Sequence, residues 1–374
     1  MEQLAEAYRG RRVWVTGHTG FKGAWLTEWL LLLGAEVRGY SLAAPTTPSL
    51  FAQLGLAGRI SHQLADVRDR AALVSAVREF APDFVFHLAA QPLVRQSHAE
   101  PAATYETNVL GTVNVLEALR GLRSPCAAVF VTSDKCYANR DIPGGYKEDA
   151  ALGGDDPYSS SKAAAEIAIA AWRNSFFSPE AVASGRVAPV GVASGRAGNV
   201  IGGGDWAADR IVPDCIRSLS RDEVILVRNP ESIRPWQHVL ESLSGYLHLG
   251  ARLHTALSAA PEGRGGELAR LAAAFNFGPG DGVERTVREL VEEVLRHWPG
   301  RWERRFDAAA PSESWRLHLD SARAREVLGW RPRWDFQRAV VHTVTWYRAV
   351  AEKPAVAPEL TRRQIREYMA GNRA

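Results

Sequence analysis

The sequence predicts an α/β protein, a doubly wound parallel Rossmann sheet with a smaller, mainly helical C-terminal lobe. Three observations predict it. Short β-branched and apolar runs alternate with helix-length segments, joined by short links, as far as residue 196. A glycine-rich turn, Gly17-His18-Thr19-Gly20-Phe21-Lys22-Gly23, connects the first such run to the first helix. Beyond residue 196 the alternation gives way to glycine-rich and mixed segments. Residues 1–196 are therefore read as the Rossmann domain, with the sheet revisited near 275–277. Residues 197–374 are read as a ligand-binding lobe and tail.

Taken in order, Arg12 to Thr16 is the first strand and Ala24 to Leu33 the first helix, stopped by Gly34. The glycines between them lie at i, i+3 and i+6. Glycine lets the turn close tightly and lets backbone approach a diphosphate, while the helix N-terminus offers free N–H groups and a positive dipole end. This spacing is the TGxxGxxG form of the short-chain dehydrogenase/reductase superfamily, whose extended members the chain begins to resemble here. Lys22 is expected to neutralise cofactor phosphate; His18 is read equally well as a solvated loop residue. Glu36 to Ser41 is the second strand. Its end carries Tyr40 and Ser41 where a ribose-binding carboxylate is usual, so NAD and NADP both stay open. Arg38 would suit the extra phosphate of NADP, but it lies inside that strand and reads at least equally well as solvent-facing.

Ile60 to Ala65 is the third strand, followed by Asp66 and Val67; Asp66 reads as an adenine contact by resemblance or as a helix N-cap. Ala71 to Phe80 is helical. Phe84 to Gln91 is the fourth strand and a loop, Leu88-Ala89-Ala90-Gln91, small enough at its centre for a cofactor to lie against backbone. Thr104 to Leu119 is a helix, and its Asn108 resembles the superfamily's Asn that supports the active-site backbone. Val129 to Thr132 and Val190 to Gly195 are the next strands. Glu262 to Glu267 reads as a polar, glycine-containing loop, and Pro358 to Met369 as an amphipathic tail that packs on the body or on a partner subunit.

Bulk properties exclude several classes. The 374 residues are 46% hydrophobic and 23% charged, with a net charge of +3, too small to imply nucleic acid. Ten histidines show no metal-type pairing, and three cysteines (Cys126, Cys136, Cys215) show no CxxC spacing, so no metal is expected and a reducing, cytoplasmic setting is. The apolar run Trp29 to Leu33 is far too short to span a membrane.

The chemistry concentrates where the fifth strand ends in Thr132-Ser133-Asp134-Lys135. Open α/β sheets place ligands outside the carboxyl ends of their strands. Tyr158 and Lys162 follow at i and i+4 on the helix Pro157 to Trp172, stacked on one face. An ammonium beside a phenol favours phenolate, lowering a pKa normally ~10. Tyr158 can then take a proton from a sugar hydroxyl as hydride leaves the carbon, with Ser133 as hydroxyl partner. Oxidation or epimerisation needs only these three. The additional acid and base candidates, Asp134 and Lys135, suggest elimination. Lysine is a base only when neutral; Lys162 nearby favours that state and Asp134 opposes it.

Longer motifs sharpen this. HTGFKG at 18–23, AAQPLVR at 89–95, GDDPYSSSK at 154–162, RAGNVIGGGDWA at 196–207 and RNPESIRPWQHVLE at 228–241 together resemble the CDP-glucose branch of the NDP-hexose 4,6-dehydratases. The resemblance runs from about Arg11 to Tyr368. It implies an NAD-dependent lyase of deoxysugar biosynthesis acting on CDP-glucose or another NDP-hexose. Asp134 would protonate the departing C6 hydroxyl, and Lys135 would stand where many relatives have Glu. It also implies a homodimer through the helices around 104–119 and 158–172. Asn199, in a glycine-rich loop, and Arg210 and Arg234 are the expected substrate contacts, arginine offering bidentate phosphate recognition, with His238 expected to join them or, equally, to pack in the core. Trp206 and Trp236 are read equally as pocket wall or core. A 4-epimerase on this scaffold would not need Asp134-Lys135. A non-catalytic dinucleotide sensor would not need the intact Ser133, Tyr158 and Lys162.

Overall fold

The computed structural model describes residues 2–142, 144–259, 261–280, 284–305 and 317–371. Seven parallel strands form the central sheet: β1 (Arg12–Thr16), β2 (Glu36–Ser41), β3 (Ser61–Leu64), β4 (Phe84–His87), β5 (Cys126–Val131), β6 (Val190–Arg196) and β7 (Ala274–Asn276). Their order is β7-β6-β5-β4-β1-β2-β3. The order reverses at β1 and β4, the switch point at which open sheets open a ligand crevice. Strands β1, β4, β5 and β6 are almost wholly buried, which is why they read as near-continuous apolar runs.

Each connection uses local signals visible in the chain. Gly20 caps α1 (Phe21–Leu32) without a side chain, whereas Asp69 caps α2 (Arg70–Phe80) by accepting from Ala72 N. The expected helix over 104–119 is divided: Pro101–Tyr105 runs through a wide π turn, Glu106–Leu110, into α3 (Gly111–Leu119). Asp156 caps α4 (Pro157–Phe176) through Ser159 N.

Beyond residue 196, β7 pairs with β6 in register Phe275 to Gly195. Helix α6 (Val239–Ser258) packs on β5 and β6, and α5 (Ile211–Leu219) precedes it in the lobe. Two segments past 197 thus complete the sheet layer. The segment expected to be a polar loop lies instead within a helix, α7 (Pro261–Leu271). Leu268 and Leu271 are fully buried, and this apolar anchoring against α6 outweighs the glycines. The tail forms α9 (Ala357–Ala370) after α8 (Phe336–Glu352). It is clamped to the body where Tyr368 donates to the buried carboxyl of Glu241 at 2.7 Å and Arg362 donates to Glu28 at 2.7 Å.

Candidate active site

The glycine turn is built as its chemistry requires. Gly17 has φ +72°, and a Cβ there would lie 2.7 Å from Ala89 N, so the turn and the loop after β4 touch. Gly20 N donates to Gly17 O at 3.1 Å. A Cβ on Gly20 would meet only Gly17 O, at 3.4 Å, so the start of α1 is open as well as uncapped. Thr16 Oγ1 accepts from Leu88 N and Ala89 N at 3.1 Å each, and Ala90 and Gln91 continue the half-buried loop. Asn108 sits in the π turn. It accepts from Gln91 N at 2.8 Å and donates to Gln91 O at 3.1 Å and Ser161 Oγ at 2.9 Å, tying the loop to α4. An open helix N-terminus facing a strand-end crevice suits the diphosphate of a dinucleotide.

Other expectations at this end change. His18 is fully buried, with neither ring nitrogen hydrogen-bonded, between Phe51 (5.2 Å) and His62 (5.5 Å). Burial, with His62 adding to it, lowers its pKa to about 4, so it is a neutral packing residue and not a solvated one. Thr19 Oγ1 shares a 2.8 Å hydrogen bond with Ser41 Oγ. Asp66 does not cap α2; it accepts from Arg68 N at 2.8 Å and from the Arg68 guanidinium at 2.7 Å. Val67 is buried. Arg38 is engaged by Glu79 at 3.0 Å and lies over Phe80. Lys22, beside Phe21 and Gly23, turns inward over the Tyr246 ring at 5.9 Å. Burial lowers its pKa to about 8, Arg210 and Lys162 push the same way, and Asp134 and Asp205 oppose.

At the end of β5 the backbone leaves the sheet at Ser133 (φ −152°, ψ 158°) and turns through Asp134–Cys136. Ser133 Oγ accepts from Lys135 N at 3.2 Å and donates to Asp134 Oδ1 at 2.9 Å. Asp134 is 2% exposed, and its Oδ2 has no hydrogen-bond partner. The half-buried Lys135 stands on the same turn. Tyr158 and Lys162 are both buried, with the Lys162 Nζ 6.0 Å from the Tyr158 ring centre. Burial pushes the Tyr158 phenol up to about 12 and Asp134 adds to this, while the Ser133 hydrogen bond and the Arg210 charge work against it. The expected lowering of the phenol is therefore absent here, and Arg210 is the cation that acts on it. Burial brings Lys162 down to about 8, and Glu166 holds it up.

Glu166 is a residue that motif reading passed over, although it stands one helical turn beyond Lys162. Burial works against its ionisation, yet Arg196, Thr132 and Ser194 hold its carboxyl below the usual range. Arg196 donates to Glu166 at 2.7 Å and to Tyr137 Oη at 2.7 Å, and Tyr137 donates to Asn276 at 2.7 Å. This network binds β5, α4, β6 and β7 beneath the site.

The lobe supplies the remaining candidates. Asn199 has φ +27° and its carbonyl accepts from Gln237 N at 3.3 Å. Arg210, the residue before α5, donates to Asp205 at 2.7 Å. Arg234 is buried and donates to Ile233 O at 2.8 Å. His238 is fully buried against Trp334 (4.8 Å) and Trp25 (5.8 Å), which fits the packing alternative. Trp236 is buried too, and Trp206 packs on Tyr347.

The strand order, reversing at β1 and β4, defines a doubly wound Rossmann fold, and the glycine turn, Ser133, Tyr158 and Lys162 follow strands β1 and β5 of that sheet. The chain belongs to the GDP-mannose 4,6 dehydratase family, whose family model matches residues 14–343. It is 45% identical over 364 residues to CDP-glucose 4,6-dehydratase of Salmonella typhimurium, covering 97% of each chain. Among solved structures it is similar to dTDP-glucose 4,6-dehydratase of Streptomyces venezuelae with NAD bound, at TM-score 0.74 and 23% identity over 92% of this chain and 99% of that one. UDP-glucose 4-epimerase of Thermus thermophilus in complex with NAD gives 0.72 and 25%, over 90% and 99%.

Proposed function

We propose that this protein is a hydro-lyase that converts CDP-D-glucose to CDP-4-dehydro-6-deoxy-D-glucose and water. The observation that carries this reading is Asp134: a buried carboxyl with one unpartnered oxygen, hydrogen-bonded to Ser133 beside Tyr158. An epimerase has no use for an acid there. The likeness to a CDP-glucose enzyme supports the nucleotide.

NAD, when bound, supplies the hydride acceptor for C4 and the hydride donor for C6. The turn that Gly17 and Gly23 close by tight backbone packing, open at Gly20, would hold its diphosphate; Asp66 and Val67 would border the adenine, residues 88–91 would line its path, and Lys162 would hold a ribose. Arg38, already paired with Glu79, is not free to select a 2′-phosphate. Tyr158 takes the O4 proton. The ketone so formed acidifies C5–H, Lys135 removes that proton, and Asp134 protonates the leaving C6 hydroxyl. Asn199, Arg210 and Arg234 hold the sugar-nucleotide diphosphate. Residues 1–196 with α6 and β7 form the cofactor-binding unit and the rest of 197–374 the sugar-nucleotide lobe and tail.

A cytoplasmic homodimer fits the surface. Tyr105 (39% exposed), Leu110 (56%) and Ile167 (58%) put large apolar side chains outward on the two helices expected at the interface. The three cysteines are free and buried, and no helix among the described residues is long and apolar enough to cross a membrane. CDP-, dTDP-, GDP- and UDP-glucose, scored for 4-keto product, test the assignment. CDP-glucose should be preferred; preference for another nucleotide overturns the substrate, and an epimer without keto product overturns dehydration.

A further inference from the structure

Strand β2 ends without the carboxylate that usually holds a dinucleotide's ribose, and a pair of hydroxyls stands there instead. Side chains alternate along β2, so Arg38 and Tyr40 face one way and Gly39 and Ser41 the other. The second face meets the glycine turn. Gly17 N donates to Tyr40 O at 3.0 Å, and a Cβ on Gly39 would lie 2.4 Å from the His18 ring. Here Thr19 Oγ1 and Ser41 Oγ share a hydrogen bond of 2.8 Å, and Thr19 Oγ1 donates to Leu42 O at 3.0 Å. A hydroxyl has one proton to give. That of Thr19 goes to Leu42 O, so Ser41 is the donor between the two, and Ser41 Oγ is left with acceptor capacity only. The flanking residues bring no charge. Leu42 and Leu64, the latter Ser41's register partner on β3, are apolar and exposed by 57% and 61%. Arg38, on the opposite face, is engaged by Glu79 at 3.0 Å, and Arg68 by Asp66 at 2.7 Å and Glu106 at 3.2 Å.

We propose that Ser41, kept an acceptor by Thr19, takes the place of the missing carboxylate and selects NAD over NADP. This rests on the dinucleotide placement given above. A ribose 2′-hydroxyl has a proton to donate to Ser41 Oγ, so the acceptor and the hydroxyl satisfy each other. A 2′-phosphate monoester, whose second pKa is about 6, has mostly lost its last proton at neutral pH. It would set oxygen lone pairs against those of Ser41, at a strand end where Leu42 and Leu64 offer no countercharge. The same pair of hydroxyls thus accepts one cofactor and rejects the other with no charge of its own. Thr19 is a positioning residue: it acts through the direction in which it holds the Ser41 proton.

The test reads binding and not turnover. NADH and NADPH are titrated into the purified protein, and energy transfer from tryptophan to the reduced nicotinamide reports occupancy. Any NAD already bound competes equally with both, so the ratio of their apparent affinities is preserved. Wild type should prefer NADH by at least about tenfold, and Ser41→Ala should weaken NADH by about 3- to 10-fold without weakening NADPH. Thr19→Val frees the Ser41 proton to meet a phosphate oxygen. NADPH should then tighten by about fivefold or more while NADH changes by less than about twofold. A merely structural role for Thr19 would weaken both cofactors together. Equal affinities in wild type, or an NADH-to-NADPH ratio unmoved in both variants, overturn the hydroxyl account and leave the dinucleotide site standing. Binding of neither cofactor by wild type overturns both. Should the two buried variants not fold, Leu42→Arg at its exposed position decides: it should tighten NADPH by about tenfold or more, and an unimproved NADPH affinity overturns the proposal.

Discussion

Gly198 stands directly against the carboxylate of Asp134: a Cβ at position 198 would lie 1.8 Å from Oδ2. The loop after β6 thus limits where the acid can sit. Gly198→Ala must push the carboxylate away from the site. Displacing a reacting group by about 1 Å can cost roughly 100-fold in rate, so kcat for CDP-glucose should fall by that order while cofactor binding is kept. Near wild-type kcat in a folded Gly198→Ala protein would show that Asp134 is not held in place by this contact.

Lys135 has a role distinct from those of Tyr158 and Asp134. Lys135→Ala should still oxidise C4, seen as NADH absorbance on adding CDP-glucose, but should slow exchange of C5–H with deuterated solvent by about 100-fold or more. Normal exchange would remove Lys135 as the base.

Lys162 carries a pH signature. Its pKa is lowered by burial to about 8, so a role that needs the ammonium is lost as pH rises through that value. The high-pH limb of activity should lie near pH 8. Glu166 holds this pKa up, so Glu166→Gln should move the limb to lower pH. The same variant leaves Arg196 buried without its counter-charge and should cost about 3 kcal/mol in a denaturant titration. An unmoved limb would mean that Lys162 is not the group titrating.

Much of this was legible in the sequence, and the reasons are local. The strands β1 and β4 to β6 could be read because buried parallel strands are near-continuous apolar runs. Tyr158 and Lys162 could be read because four residues is one helical turn. What could not be read depends on contacts between distant positions. Glu166 meets Arg196 across 30 residues and Tyr137 meets Asn276 across 139, with no spacing rule to connect them. His18 and His238 look polar in the chain and are enclosed only by the fold. The glycines near 265 suggest a loop until Leu268 and Leu271 are seen anchored on the core. The outcome at Tyr158 was also hidden, since the sequence places a lysine beside the phenol but does not reveal how deeply both are buried.

The most direct test of the central claim follows one hydrogen. Incubated with CDP-glucose carrying deuterium at C4, the protein should give CDP-4-dehydro-6-deoxyglucose with that deuterium in the C6 methyl group and a solvent-derived hydrogen at C5. Deuterium recovered at C4 of an epimer, or a keto product whose methyl group carries none of the label, would contradict an elimination driven by transient oxidation at C4.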